Sequence, residues 1–162
     1  MTHTQRYRDD RSRILWGGIL AGIGLGGFFD GIVFHQILQW HHFVSNVYPT
    51  TTVAGLEINT LSDGLFHAAT YAFTITGLFL LWGVASHRET TWPMGLLVGT
   101  LLMGWGLLHV VDGVVNHFVL QLHHIRTGPN ELAYDLVFLA LGAVMLIGGW
   151  FLTQAGFRKV ET

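Results

Sequence analysis

Four long apolar runs, at about residues 14–40, 61–85, 92–122 and 132–155, constrain this chain more than any other feature. Each is long enough for a helix rising ~1.5 Å per residue to cross a ~30 Å hydrocarbon layer. In such a layer the backbone must satisfy its own polar groups, which a helix does. The expectation is an all-α integral membrane four-helix bundle over 14–155, with a basic cytoplasmic tail at 1–13 and a short cytoplasmic tail at 156–162. Composition agrees: the chain is 51% hydrophobic and 11% charged, too apolar for an ordinary soluble domain. The first run is too long for a signal peptide and lacks a small-residue cleavage site.

Basic residues orient the spans. Arg6, Arg8, Arg11, Arg13, Arg88, Arg158 and Lys159 lie in the two tails and the second loop, against Arg126 alone in the first and third loops. The positive-inside rule then places both termini in the cytoplasm, for a multi-pass protein of the cytoplasmic membrane. Trp16, Trp40, Trp82 and Trp92 fall near the expected span ends, where amphipathic rings favour the headgroup region.

Against this background ten histidines stand out. DGIVFHQILQWHH, Asp30 to His42, returns as DGVVNHFVLQLHH, Asp112 to His124. Setting 14–42 against 96–124, an offset of 82, pairs identical residues at Gly17, Leu20, Gly22, Gly24, Asp30, Gly31, His35, Leu38, Gln39, His41 and His42, among others. Two parallel two-helix repeats about an axis along the membrane normal are therefore expected. His41, His42, His123 and His124 end the first and third spans on the outer side, where Asp63, His67 and Asp135 begin the second and fourth. Only His3 and His87 fall on the cytoplasmic side.

On an α-helix turning ~100° per residue, His35 shares a stripe with His42, His117 with His124, and Asp63 with His67. Asp30 and Asp112 each precede a histidine by five residues, about 140° around an α-helix, which makes joint chelation awkward. Charged groups in a bilayer cost a few kcal/mol each on insertion scales, so they turn inward and find partners. The pattern predicts a metal site with His35, His42, His67, His117, His124 and Asp63 as ligands. Asp30, Asp112, His41, His123, Asp135 and His109 are expected as outer partners or alternative ligands. Histidines that merely cap helices near an interface would explain one pair, but not a duplicated set.

The remaining features carry less. Gly18, Gly22 and Gly26, and Gly95 with Gly99, have the small-xxx-small spacing of close helix packing, within the bundle or between copies of the chain. Four methionines are too scattered for a copper(I) ladder. The absence of cysteine excludes disulfides, thiolate sites and cysteine nucleophiles. A net charge of −2 gives no reason to expect nucleic acid.

GFFDGIVFHQILQWHH, NTLSDGLFHAAT, DGVVNHFVLQLHH and GPNELAYD together resemble the bacterial membrane-protein family catalogued as domain of unknown function 2243, from about Ile14 to Trp150. The resemblance implies no activity, but it implies respiratory oxidase or copper-assembly proteins as partners, since members are often encoded near them. In that family the position of Asp112 is often Glu and that of His109 often Asn, which argues against His109 as an essential ligand.

The expected function is therefore transition-metal binding in the outer half of the bundle, in copper handling or oxidase-related redox chemistry. Copper is preferred because thiol-free imidazole sites suit Cu(II), with zinc or iron as the other candidates. A metal-dependent membrane oxidoreductase is one alternative. A haem b electron-transfer protein is another, because His109 and His123 have a spacing similar to that of haem ligands in membrane cytochromes b, with His41 or His67 opposite. Gly27 stands where a symmetric copy of His109 would be. Ferritin-like di-iron sites need Glu-x-x-His pairs, and no glutamate lies in the expected spans.

Overall fold

The computed structural model describes residues 3–86 and 92–161. His87 and Arg88 lie outside the described residues, as do the side chains of His3, Arg6 and Arg8. Among the described residues there are four α-helices: α1 (His3–Asp30), α2 (Val53–Ala85), α3 (Met94–Asp112) and α4 (Glu131–Glu161). α1 and α3 each continue into a seven-residue π-helical segment, Gly31–Ile37 and Gly113–Val119. No strand occurs among the described residues. α2 begins ahead of its hydropathic run because Thr52, in extended conformation, accepts the Gly55 N–H at 3.1 Å on its hydroxyl. Glu131 in the first turn of α4 and Arg158 and Lys159 in its last complement the helix dipole.

α1 and α3 pack against each other at the centre, α2 lies on α1, and α4 lies on α3. The central pair runs parallel: Gly18, Gly22 and Gly26 meet Thr100, Leu101 and Trp105 in turn. A side chain at Gly22 would strike the Leu101 carbonyl, and one at Gly104, the residue matched to it, would strike the Ile19 carbonyl. Only glycine admits backbones this close, which accounts for that identity in the repeat. Gly99 packs on Gly149 and Thr153 of α4 while Gly95 faces open space, so the second glycine ladder has a single rung.

All four helices contain a stretch long and apolar enough to span a membrane, and only 17% of that stretch is buried in α2 and 22% in α4. Their outward faces carry large exposed hydrophobics such as Leu78, Phe79, Val144 and Phe151, a surface suited to lipid rather than water. The interior is divided by depth. A cluster of Ile14, Val84, Leu96 and Phe157 fills the end near the chain termini. The opposite end buries Asp30, His35, His41, Asp63, His117, His123 and Asp135 where an apolar core would otherwise sit.

Candidate metal centre

The π-helical segments set the geometry of the polar end. In a helix whose bonds run from residue i to i+5, residues five apart come to share a face. Leu38 N–H accordingly reaches the Val33 carbonyl at 2.8 Å, and Leu120 N–H the Val115 carbonyl at 2.7 Å. Asp30 Oδ2 therefore lies 3.2 Å from His35 Nε2, and Asp112 Oδ2 lies 3.2 Å from His117 Nε2. The 140° separation expected for an α-helix does not arise.

The chain then turns sharply at Gln39 and Gln121, both at φ 50°. A left-handed backbone at a residue other than glycine is uncommon, and here it recurs at the same glutamine in both halves. Trp40 N–H closes the turn on the Phe34 carbonyl at 2.9 Å, as Leu122 N–H does on Asn116 at 2.8 Å. Because the helix stops short of His42, the ring brought back over Asp30 and His35 is that of His41. Ligand atoms of Asp30, His35 and His41 lie within 4.8 Å of one another, as do those of Asp112, His117 and His123.

A second layer of bonds surrounds these two triads. His35 Nδ1–H donates to Asp63 Oδ1 at 2.9 Å, His42 Nδ1 lies 2.6 Å from Asp63 Oδ2, and Phe43 N–H donates to Asp63 Oδ1 at 2.9 Å. In the other half, His117 Nδ1 is 2.9 Å from Asp135 Oδ1, at a poorer hydrogen-bond angle. His124 Nδ1 is 2.6 Å from Asp135 Oδ2, and Ile125 N–H donates to Asp135 Oδ1 at 3.0 Å. His41 Nδ1–H donates to the Ile125 carbonyl and His123 Nδ1–H to the Phe43 carbonyl, both at 2.9 Å. The rings of His41 and His123 stack between the halves, with centroids 4.7 Å apart and planes 3° from parallel.

Carbonyl oxygens only accept, so His41 and His123 each carry a proton on Nδ1 and donate it there. Burial, with the rings of His123 and His35 alongside, holds His41 well below the ordinary histidine pKa, so it is neutral. The Nε2 atoms of His35, His41, His117 and His123 are all buried without a hydrogen-bond partner among the described residues, together with Asp30 Oδ1 and Asp112 Oδ2. Buried polar atoms are normally paired, and an unpaired one costs about 1–3 kcal/mol. A proton on His35 Nε2 would answer Asp30 yet leave His41 Nε2 facing no donor. A cation would satisfy the three donors of each triad at once, and the Nδ1 partners are placed like the acceptors that stand behind metal-bound histidines.

The other expected residues fall elsewhere. Asp63, Asp135, His42 and His124 stand behind the triads, with His124 Nε2 also 3.2 Å from Glu131. His67 has Phe28 stacked on it at 6.2 Å and its Nε2 against Gly31, outside both triads. His109 Nε2 accepts from Trp105 Nε1–H at 3.0 Å. Asn116 donates to Asp112 Oδ1 at 2.7 Å, an aid that Asp30 lacks because Phe34 is the matching residue. Sequence reasoning missed the carbonyls of Phe43 and Ile125, which no side-chain pattern announces, and the rings of Phe66 and Phe138 stacked on His35 and His117 at 5.8 and 5.4 Å. An apolar groove of about 600 Å³ lined by Ile75, Leu78, Phe79, Trp82, Trp92 and Leu97 has no ligand-type side chain and suits lipid chains.

One protein family, described as a predicted membrane protein (DUF2243), matches residues 17–156. No curated protein and no solved structure matches the chain.

Proposed function

The chain belongs to the DUF2243 family of predicted membrane proteins, and we propose that it is an integral membrane metal-binding protein. Its ligands are Asp30, His35 and His41 in one half and Asp112, His117 and His123 in the other. The single observation behind this reading is that, in each of two triads, two buried Nε2 atoms without a hydrogen-bond partner among the described residues converge with one carboxylate. Asp63 and Asp135 orient ligands from behind, as do the carbonyls of Phe43 and Ile125. The matching bonds in the two halves support a bundle of two parallel two-helix repeats.

Copper is the preferred ion. Nitrogen and carboxylate donors without thiolate suit Cu(II), Zn(II) and iron, and affinity peaks at copper along the divalent series. Three protein donors per triad leave a coordination position for an exchanging ligand, which suits delivery to an oxidase or its assembly proteins, and equally a metal-dependent oxidoreductase. Haem is a poorer fit, because the Nε2 of His109 is occupied by Trp105. The test is metal analysis of purified protein with an optical spectrum. Copper-loaded protein is expected to retain ion through desalting and to show a weak visible band, and a chain that retains no Cu(II), Zn(II) or iron overturns the reading.

The centre lies on the outer side of the cytoplasmic membrane, with both termini inside, because seven of the eight basic residues fall in the tails and second loop. The absence of cysteine makes this easy to examine. A Thr50→Cys variant, at an exposed position of the first loop, is expected to react with an impermeant maleimide in intact cells, while a reporter fused after Thr162 reads cytoplasmic. The opposite labelling would put the centre on the cytoplasmic face.

A further inference from the structure

The outer partners of the two triads are crossed between the halves. Asp63 holds His35 of the first triad directly, and it also holds the N–H of Phe43. The carbonyl of that same residue accepts from His123, a member of the second triad. Asp135 lies against His117 of the second triad and holds the N–H of Ile125, whose carbonyl accepts from His41 of the first. Each carboxylate thus positions one ligand of its own half and, through one loop residue, one ligand of the other.

The charge of the cluster points the same way. Every ion pair made by Asp30, Asp63, Asp112 and Asp135 among the described residues is with a histidine. Each triad contributes one of these carboxylates and the layer behind it one more, so the two halves offer the same anionic donor set. The stacked rings of His41 and His123 also bring the triads into direct contact, so ordering one ring restricts the other.

We propose that the two triads form a single two-ion centre that loads cooperatively, each divalent cation fixing, through Phe43 or Ile125, a ligand needed by the other. This rests on the metal-binding reading above. Cooperativity of this kind is a coupling between sites and is reciprocal: whichever triad fills first tightens the second. The structural basis is pre-organisation, because the first ion immobilises a loop residue whose other polar group already holds the partner triad's histidine.

The experiment is a titration of the chelator-stripped full-length chain, in detergent or nanodiscs, with Cu(II) alone and then with Zn(II) alone, read by native mass spectrometry. Expected is a two-ion endpoint, with chains at half-saturation carrying mostly none or two. Independent equal sites would instead put half the chains in the one-ion state. An Asp63→Asn variant is expected to weaken both ions by about 10–100-fold, the usual consequence of losing an outer partner. Uncoupled triads would keep one ion at the original affinity. Two ions in statistical proportions, or a stable one-ion endpoint, overturn the coupling and leave the metal-binding reading intact. Binding of neither ion by the unmodified chain overturns both. The unmodified chain decides the matter even if the Asp63 variant fails to fold.

Discussion

Replacing His35 by Ala is expected to empty its triad, and replacing His117 by Ala to empty the other, with affinity at the altered site falling by more than about 100-fold, beyond the range seen when only an outer partner is lost. The double variant is expected to bind no transition metal. Each ring is fully buried, with Nδ1 against a carboxylate and Nε2 among the donor atoms of its triad. His67→Ala and His109→Ala serve as contrasts, because both histidines are partly or fully buried in the same end of the bundle yet neither joins a triad. Elemental analysis after desalting reads the result, with circular dichroism confirming the helices. Normal metal content in folded His35→Ala and His117→Ala protein would remove both triads from consideration.

These contrasts mark where sequence and structure part. Hydropathy locates four helices because burial of apolar surface in lipid depends on length and composition alone. The internal match between 14–42 and 96–124 also picks out the relevant residues, since a geometry used twice keeps the same side chains. What an α-helical wheel cannot give is the arrangement of those residues. It puts His35 and His42 on one stripe and Asp30 elsewhere. The π-helical turn joins Asp30 to His35, and the left-handed Gln39 then presents His41 instead. A signal for this does exist in the sequence: aspartate and histidine recur at a spacing of five in both halves, followed each time by Leu-Gln, and five is the hydrogen-bond step of a π-helix. The crossed contacts through Phe43 and Ile125 leave no such trace, because a backbone carbonyl is the same at every residue.

Asp30→Asn is the substitution on which the two geometries disagree most. On an α-helix the Asp30 carboxylate points away from His35 and acts at most through another imidazole, so an amide would cost about 10–100-fold in affinity. On the π-helical segment its Oδ2 sits 3.2 Å from His35 Nε2, and Oδ1 is buried without a donor. On that geometry the carboxylate would supply both a donor atom and a negative charge to an ion held there. An amide oxygen is a weak neutral ligand, and removing the charge deprives a divalent cation of its nearest counterion. Asp30→Asn is therefore expected to weaken its ion more than Asp63→Asn does, by more than about 100-fold against the 10–100-fold assigned to an outer partner. Competition against a chelator series with Cu(II) measures both on one scale. A smaller loss for Asp30→Asn than for Asp63→Asn would exchange their roles, making Asp63 the ligand and Asp30 the residue that orients His35. Asp112→Asn should follow Asp30→Asn, with one added effect: Asn116 donates to Asp112 Oδ1 at 2.7 Å, so an amide rotated to accept that bond turns its NH₂ group toward the ion.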